Sequence, residues 1–316
     1  MKIMERTISS KIIVLEALKR RIDANHKQHN YVASLLRRAE IGYRGELKVD
    51  RMWKEILVPS DSLLFHSYEI RNDFGNLHQM DTLFVCPHFI YILEIKNVTG
   101  RIWYEEDKHQ FLRARITGEI ESFQSPFEQV QRHADIIERI VARVGLSMQV
   151  HKAVVIADSS TVIGPVPSEF TIFHAIGLPT EVKKLLLKYN NSALAPAHYE
   201  LLTTKLQSLH KPTNYVPRFD LPPLRKGAIC GCGRGMKFTR GKFVCACGVK
   251  SKEPLYQGLH DYRVLISEWI TNREFRAFFD IESLHSASKL LKRMNLEFKG
   301  TTRDRSYRIH EDINRK

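Results

Sequence analysis

Residues 79–97 read QMDTLFVCPHFIYILEIKN, two strand-length apolar runs on either side of a short turn at Cys86-Pro87-His88-Phe89. In a strand, residues two apart share a face, so Glu94 and Lys96 point one way while Leu93 and Ile95 point into the other layer. A four-residue loop pairs Val85 with Ile90, and stepping back along both strands sets Asp81 opposite Glu94. Directly opposed Cβ atoms lie about 4.5–5.5 Å apart. Two carboxylates at that spacing repel unless a cation takes oxygen from both, and a hard divalent ion, Mg2+ or Mn2+, is the natural choice. Asp81 and Glu94 are therefore expected metal ligands, with the Ile95 carbonyl as a further oxygen. Lys96 beside them would orient a water or offset charge on a phosphate. A Glu-x-Lys triplet alone is common on exposed strands. Here it follows Phe89-Ile90-Tyr91-Ile92-Leu93, a run suited to a central strand, where charges need partners.

Outward from this hairpin, Leu63 to Ile70 reads as a preceding strand. Val49, Met52, Trp53 and Ile56 predict a helix from Glu46 to near Pro59, opened after Gly42 and Gly45. Residues 9 to 27 and Val32 to Arg38 read as earlier helices forming an N-terminal extension. Beyond the hairpin, alternation at Arg101 to Tyr104 and near Phe111 suggests a second hairpin. Ser125-Pro126-Phe127-Glu128 is a helix start with Ser as cap, Pro in the first turn and a capping-box Glu. Phe127, Val130, Ala134, Ile137 and Val141 give that helix one apolar face, and Gly145 ends it. Strands at Ala153 to Ile156 and Phe170 to His174, then a helix from Pro179 to Tyr189, complete an α/β domain with a mixed sheet flanked by helices.

Four segments in order carry a resemblance: Gly42-Tyr43-Arg44-Gly45-Glu46, Gln79-Met80-Asp81, Ile92-Leu93-Glu94-Ile95-Lys96-Asn97 with Gly100 soon after, and Ser125-Pro126-Phe127-Glu128-Gln129 with His133. The chain resembles the nuclease-related domain (NERD) family, of the restriction-endonuclease-like PD-(D/E)xK group, over about residues 37 to 155. Met80 stands where isoleucine is expected, a volume-conserving apolar change. The resemblance implies catalytic roles for Glu46, Asp81, Glu94, Lys96 and Gln129, with Glu46 completing or orienting the metal site and Gln129 bonding the lysine, the water or the phosphate. It implies nuclease chemistry, although such folds also bind without cutting.

A second metal signal lies further on. Cys230-Gly231-Cys232-Gly233 and Cys245-Ala246-Cys247-Gly248 form two knuckles twelve residues apart, enough thiolates for a closed structural zinc site. The intervening Met236 to Val244 predicts a hairpin turning at Arg240-Gly241, hence a zinc ribbon. Ribbons generally use C-x-x-C, whereas both knuckles here are C-x-C; four buried or redox-active thiols are the alternative. The remaining cysteine, Cys86, reads as structural. The tail predicts helices at Leu259 to Thr271, Asn272 to Phe279 and Ser283 to Met294, then a hairpin from Glu297 to Ile309 turning at Lys299-Gly300: a winged-helix-like arrangement. Lys289, Lys292 and Arg293 on its third helix and Arg303, Arg305 and Arg308 on its wing are the expected nucleic-acid contacts. A solvated basic tail or a protein-docking module is the bland alternative.

The organisation expected is thus a helical extension at 1–36, the nuclease-like domain at 37–190, a Pro-rich linker region at 191–225, the zinc ribbon at 226–252 and the basic module at 253–316. Lysine and arginine number 49 against 35 acids, a formal charge of +14, which favours a polyanionic partner. No segment reaches the length of a secretory core or membrane span, so a cytoplasmic protein without membrane association is expected. The expected function is Mg2+- or Mn2+-dependent hydrolysis of nucleic acid, DNA foremost, with the ribbon and basic module assisting binding; the alternative is a DNA-binding or regulatory protein that does not cut.

Overall fold

The computed structural model describes residues 1–301 and 304–313. In chain order its elements are β1 (Lys2–Met4), α1 (Ser10–Arg21), α2 (Lys27–Met52), β2 (Leu63–Arg71), β3 (Leu77–Val85), β4 (Phe89–Lys96), β5 (Arg101–Glu105), β6 (Gln110–Ala114), β7 (Ile120–Phe123) and α3 (Pro126–Arg143). There follow β8 (Gln149–Ile156), β9 (Val162–Ile163), β10 (Ile172–His174), α4 (Leu178–Lys188), α5 (Pro196–Leu209), β11 (Lys237–Thr239), β12 (Lys242–Val244) and β13 (Lys250–Ser251). The chain ends with α6 (Glu253–Leu265), β14 (Trp269–Thr271), α7 (Asn272–Phe279), α8 (Leu284–Arg293), β15 (Phe298–Lys299) and β16 (Ser306–Arg308). Two compact units result: Met1–Ile8 with Glu40–Thr213, and Ser9–Ala39 with the chain from Asn214 onward.

The first unit is built on a mixed six-stranded sheet ordered β1-β2-β3-β4-β8-β10. Strands β2, β3 and β4 form an antiparallel meander, and β8 runs parallel to β4. A parallel neighbour needs a crossover, which α3 supplies. Ser125 caps α3 as expected, its hydroxyl accepting from the Glu128 N–H. From Phe89 to Leu93 strand β4 is apolar, because helices cover both of its faces. Ile90 and Ile92 pack with Phe127, Val130 and Ile137 of α3, while Tyr91, Leu93 and Ile95 pack with Val49 and Trp53 and with Val182 of α4. A smaller sheet, β7-β6-β5-β9, contains the second hairpin and adds β7 to it.

Several expectations change. The helix before the meander does not begin at Glu46; α2 starts at Lys27 and runs unbroken through Gly42 and Gly45. Gly45 is there for space, since a Cβ on it would overlap the Asn97 side chain at the end of β4. The N-terminal segment is not a separate extension either. Lys2–Met4 is an edge strand parallel to β2, and α1 belongs to the second unit, where Arg20 and Arg21 grip Asp261 of α6 at 2.9 and 2.8 Å. Finally, 191–225 is not all linker. Tyr199, Leu202 and Leu206 recur at helical spacing and make α5 part of the core, with the Tyr199 hydroxyl bonded to the Val85 carbonyl at 3.0 Å.

In the second unit, β11 and β12 pair antiparallel as the expected ribbon hairpin. Arg240 and Gly241 both have positive φ, 49° and 82°, the conformation of a tight hairpin turn. Downstream, the expected helix over Leu259 to Thr271 instead stops at Leu265, and Trp269–Thr271 pairs with β16. Helix, strand, two helices and a hairpin then close on a three-stranded sheet ordered β14-β16-β15. Its core is aromatic, with Phe275, Phe279 and Phe243 buried beside Leu259, Ile270 and Leu291. No helix among the described residues is long and apolar enough to cross a membrane.

Candidate active site

Register places Asp81. The β3–β4 ladder runs from Val85↔Ile90 to Thr82↔Leu93, as the four-residue turn requires, and stops one step short of Asp81 and Glu94. Instead, the Asp81 carboxylate accepts the Ile95 N–H at 2.7 Å. The β2–β3 ladder is interrupted at the same place: His66 pairs with Thr82 and Tyr68 with Met80, leaving Ser67 and Asp81 between them, with Ser67 at φ 54°. Irregularities of this kind re-aim side chains, and this one sits at the proposed metal acid.

Glu94 is buried on the α3 side of β4. Its Oε1 accepts from Lys96 Nζ at 2.6 Å, and its Oε2 is buried with no hydrogen-bond partner. Lys96 Nζ also donates to Gln129 Oε1 at 3.3 Å, so a residue 33 positions away closes the group from the first turn of α3. Glu46 enters from α2, its Oε2 accepting from Arg6 Nη1 at 2.6 Å. Burial, reinforced by the Asp81 charge, pushes the Glu46 carboxyl up to about 7 and that of Glu94 up to about 8. Burial raises Asp81 as well. For Lys96, burial alone would lower the pKa, but the surrounding Glu94, Asp81 and Glu46 carboxylates prevail and raise it.

An orphaned buried carboxylate oxygen among three acids suits a hard divalent cation, which bonds oxygen and cancels their repulsion. The three do not converge tightly. Among the described residues, the four cysteines are the only group of three or more Cys, His, Asp or Glu with ligand atoms all within 4.8 Å of one another. The protein's own cations, Lys96 and Arg6, hold Glu94 and Glu46 respectively.

Residues 41–157 match the family model of the nuclease-related domain. That stretch is similar to the nuclease-related domain. The chain is 28% identical over 100 residues to an uncharacterized protein of Bacillus anthracis, a stretch covering 32% of this chain and 46% of the relative; the match thus spans about half of the relative's length. No solved structure matches the chain. The residues singled out by the sequence resemblance, Glu46, Asp81, Glu94, Lys96 and Gln129, are the ones described above, but motif reading missed Arg6, Asp50, His66 and Ser67, which surround Glu46 and Asp81. None lies in an acid-lysine pattern, and Arg6 is distant in sequence. His133, one turn beyond Gln129, is also buried, and its pKa is pushed down to about 4 by burial and by the cations nearby.

The cysteine cluster is a separate centre. Cys230 and Cys247 sulfurs lie 3.6 Å apart, as do those of Cys232 and Cys245. A tetrahedron with Zn–S bonds of about 2.3 Å has edges of about 3.8 Å, so the set fits zinc. The two C-x-C knuckles are built alike. Gly233 donates to the Cys230 carbonyl and Gly248 to the Cys245 carbonyl, at 2.8 and 3.0 Å, with φ of 84° and 92°, a conformation that glycine adopts without strain. The fifth cysteine, Cys86, is buried, and its thiol is bonded to the Phe89 carbonyl.

Lys289, Lys292 and Arg293 are exposed on α8, away from the buried Ala287, Leu290 and Leu291. The wing cations are more engaged. Arg305 stacks over Phe298 at 4.4 Å, and Arg308 is paired with Glu297 at 3.4 Å and Glu268 at 3.8 Å. Arg303 lies outside the described residues.

Proposed function

We propose that this protein hydrolyses phosphodiester bonds of nucleic acid, DNA foremost, at the Asp81-Glu94-Lys96 site, with Mg2+ or Mn2+ as cofactor. The observation that carries the proposal is the setting of Lys96. An ammonium has three donors; two are fixed by Glu94 Oε1 and Gln129 Oε1, so the direction of the third is set. That donor is suited to a phosphate oxygen or an attacking water. Asp81, Glu94 and the Ile95 carbonyl would hold the ion, and Glu46 would complete its shell. A bound divalent ion supplies Lewis acidity and a more acidic water. Zinc on Cys230, Cys232, Cys245 and Cys247 would keep the ribbon folded, and Lys289, Lys292 and Arg293 of α8, together with Arg303, Arg305 and Arg308 further along the chain, would hold phosphates.

A second reading is a nucleic-acid binder that does not cut. What favours it is the spread of the three acids, wider than in the cysteine cluster. Cleavage assays with Mg2+ and Mn2+ on duplex DNA, single-stranded DNA and RNA decide between the two, using wild type, Asp81→Ala, Glu94→Ala and Lys96→Ala. Cleavage lost in all three variants supports the enzyme; equal cleavage in all four proteins marks a contaminant, and binding without any cleavage leaves the binder.

A further inference from the structure

Arg6 lies outside the matched residues 41–157, yet its side chain is 2% exposed and at the centre of the site. Nε donates to Asp50 Oδ2 at 2.7 Å, Nη1 to Glu46 Oε2 at 2.6 Å and Ser67 Oγ at 2.8 Å, and Nη2 to Asp50 Oδ1 at 3.2 Å and the Asp81 carbonyl at 2.8 Å. A guanidinium has five N–H donors. All are taken, so Arg6 has none to offer a substrate phosphate.

The distribution of these bonds is uneven in a telling way. Glu46 and Asp50 stand one helical turn apart on α2, and both reach the guanidinium. Asp50 gives it both oxygens, and Oδ1 also meets His66 Nδ1 at 3.1 Å. Glu46 gives it only Oε2, which leaves Oε1 for another partner. We propose that Arg6 is the positioning residue of the metal site: it sorts the two helix acids, holding Asp50 as a structural anion and presenting one oxygen of Glu46 to the ion shared with Asp81 and Glu94. Its bonds to Ser67 and the Asp81 carbonyl hold the gap in the ladder where Asp81 turns inward. Lysine cannot substitute, being a point charge without the planar fork. The inference rests on the metal-site reading given above.

The test is Mn2+ affinity, read by electron paramagnetic resonance on the full chain. Loss of an outer partner of a metal ligand weakens binding about 10–100-fold, and that loss is expected for both Arg6→Gln and Arg6→Lys. Free guanidinium is expected to restore part of it in Arg6→Ala. Asp50→Asn is expected to weaken Mn2+ binding less than Glu46→Gln. Wild-type affinity in folded Arg6→Lys overturns the proposal, as does an Asp50→Asn defect equal to that of Glu46→Gln. Should Arg6→Gln fail to fold, Arg6→Lys and the guanidinium rescue decide. A wild-type protein whose Mn2+ binding is absent, or indifferent to Glu94→Gln, defeats the metal-site reading and this inference with it, a result distinct from failure of the Arg6 variants alone.

Discussion

Ser67 and Asp81 face each other across β2 and β3 without pairing, the serine at φ 54° and its hydroxyl accepting from Arg6. Left-handed backbone costs about 1–2 kcal/mol for residues with a Cβ and more for a branched one. Ser67→Gly relieves that strain but, like any variant without the hydroxyl, leaves an Arg6 donor unpaired at about 1–3 kcal/mol, so the two effects largely offset and stability should stay within about 2 kcal/mol of wild type. Ser67→Val adds strain and leaves a buried Arg6 donor unpaired, a loss of about 2–4 kcal/mol. Urea denaturation checks both; a valine variant as stable as the glycine one would disprove the strained turn.

Lys96 is held by an acid and an amide, so its replacement should damage chemistry more than binding. Removing one oriented donor from a charge-stabilising site lowers kcat by about 10²–10³. Lys96→Ala is expected to lose that much cleavage with KM little changed. Gln129→Ala frees the ammonium from one of its two anchors and should lose less, about tenfold. Single-turnover cleavage measures both. A larger defect in Gln129→Ala than in Lys96→Ala would contradict the arrangement.

The strands around the site were legible because a two-residue period and one tight turn fix a register: Val85↔Ile90 follows from the sequence and is found. The ladder gap at Asp81 was not, since it depends on a positive φ at Ser67, a residue type with no strong preference for that conformation. Gly45 was misread for an instructive reason. Glycine usually marks a helix end, but here it makes room for Asn97 from another element, which no local pattern encodes. The N-terminal segment failed similarly: Lys2–Met4 gains its pairing only from a strand about sixty residues later. Helix α5 was readable from the spacing of Tyr199, Leu202 and Leu206 but was obscured by the Pro-rich stretch that follows it.

Zinc is expected at about one ion per chain, bound by the four cysteines. Cys230 and Cys245 are buried in the same apolar cluster as Phe243 and Phe279, so loss of metal should loosen that cluster as well as the knuckles. Strong chelation, or Cys247→Ser, should therefore expose the amides of β11 and β12 to hydrogen exchange. Metal analysis and exchange mass spectrometry read this out. A protein isolated without zinc, with β11 and β12 still protected, would rule out the ribbon.

The acid cluster makes a pH prediction whose sign follows from burial. Glu46 and Glu94 are raised to about 7 and about 8, above the ordinary 4.5, so the folded protein binds their protons more tightly than the unfolded chain does. Their contribution is fully present below about 4.5 and is lost as pH rises through about 7–8. Metal-free protein should therefore lose a few kcal/mol from this source between pH 5 and 8. His133 acts in the other direction: with its pKa lowered to about 4, its contribution is present above about 6.5 and lost as pH falls. Comparing wild type with Glu94→Gln isolates the acid effect, because the amide does not titrate while His133 is common to both. The variant should show a flatter decline from pH 5 to 8 in chelator. Mn2+ displaces the protons and repays the repulsion only where the carboxylates remain, so it should restore stability at pH 8 in wild type and much less in Glu94→Gln. Parallel pH curves for the two proteins, with and without Mn2+, would show that Glu94 does not share its charge with Asp81 or with an ion.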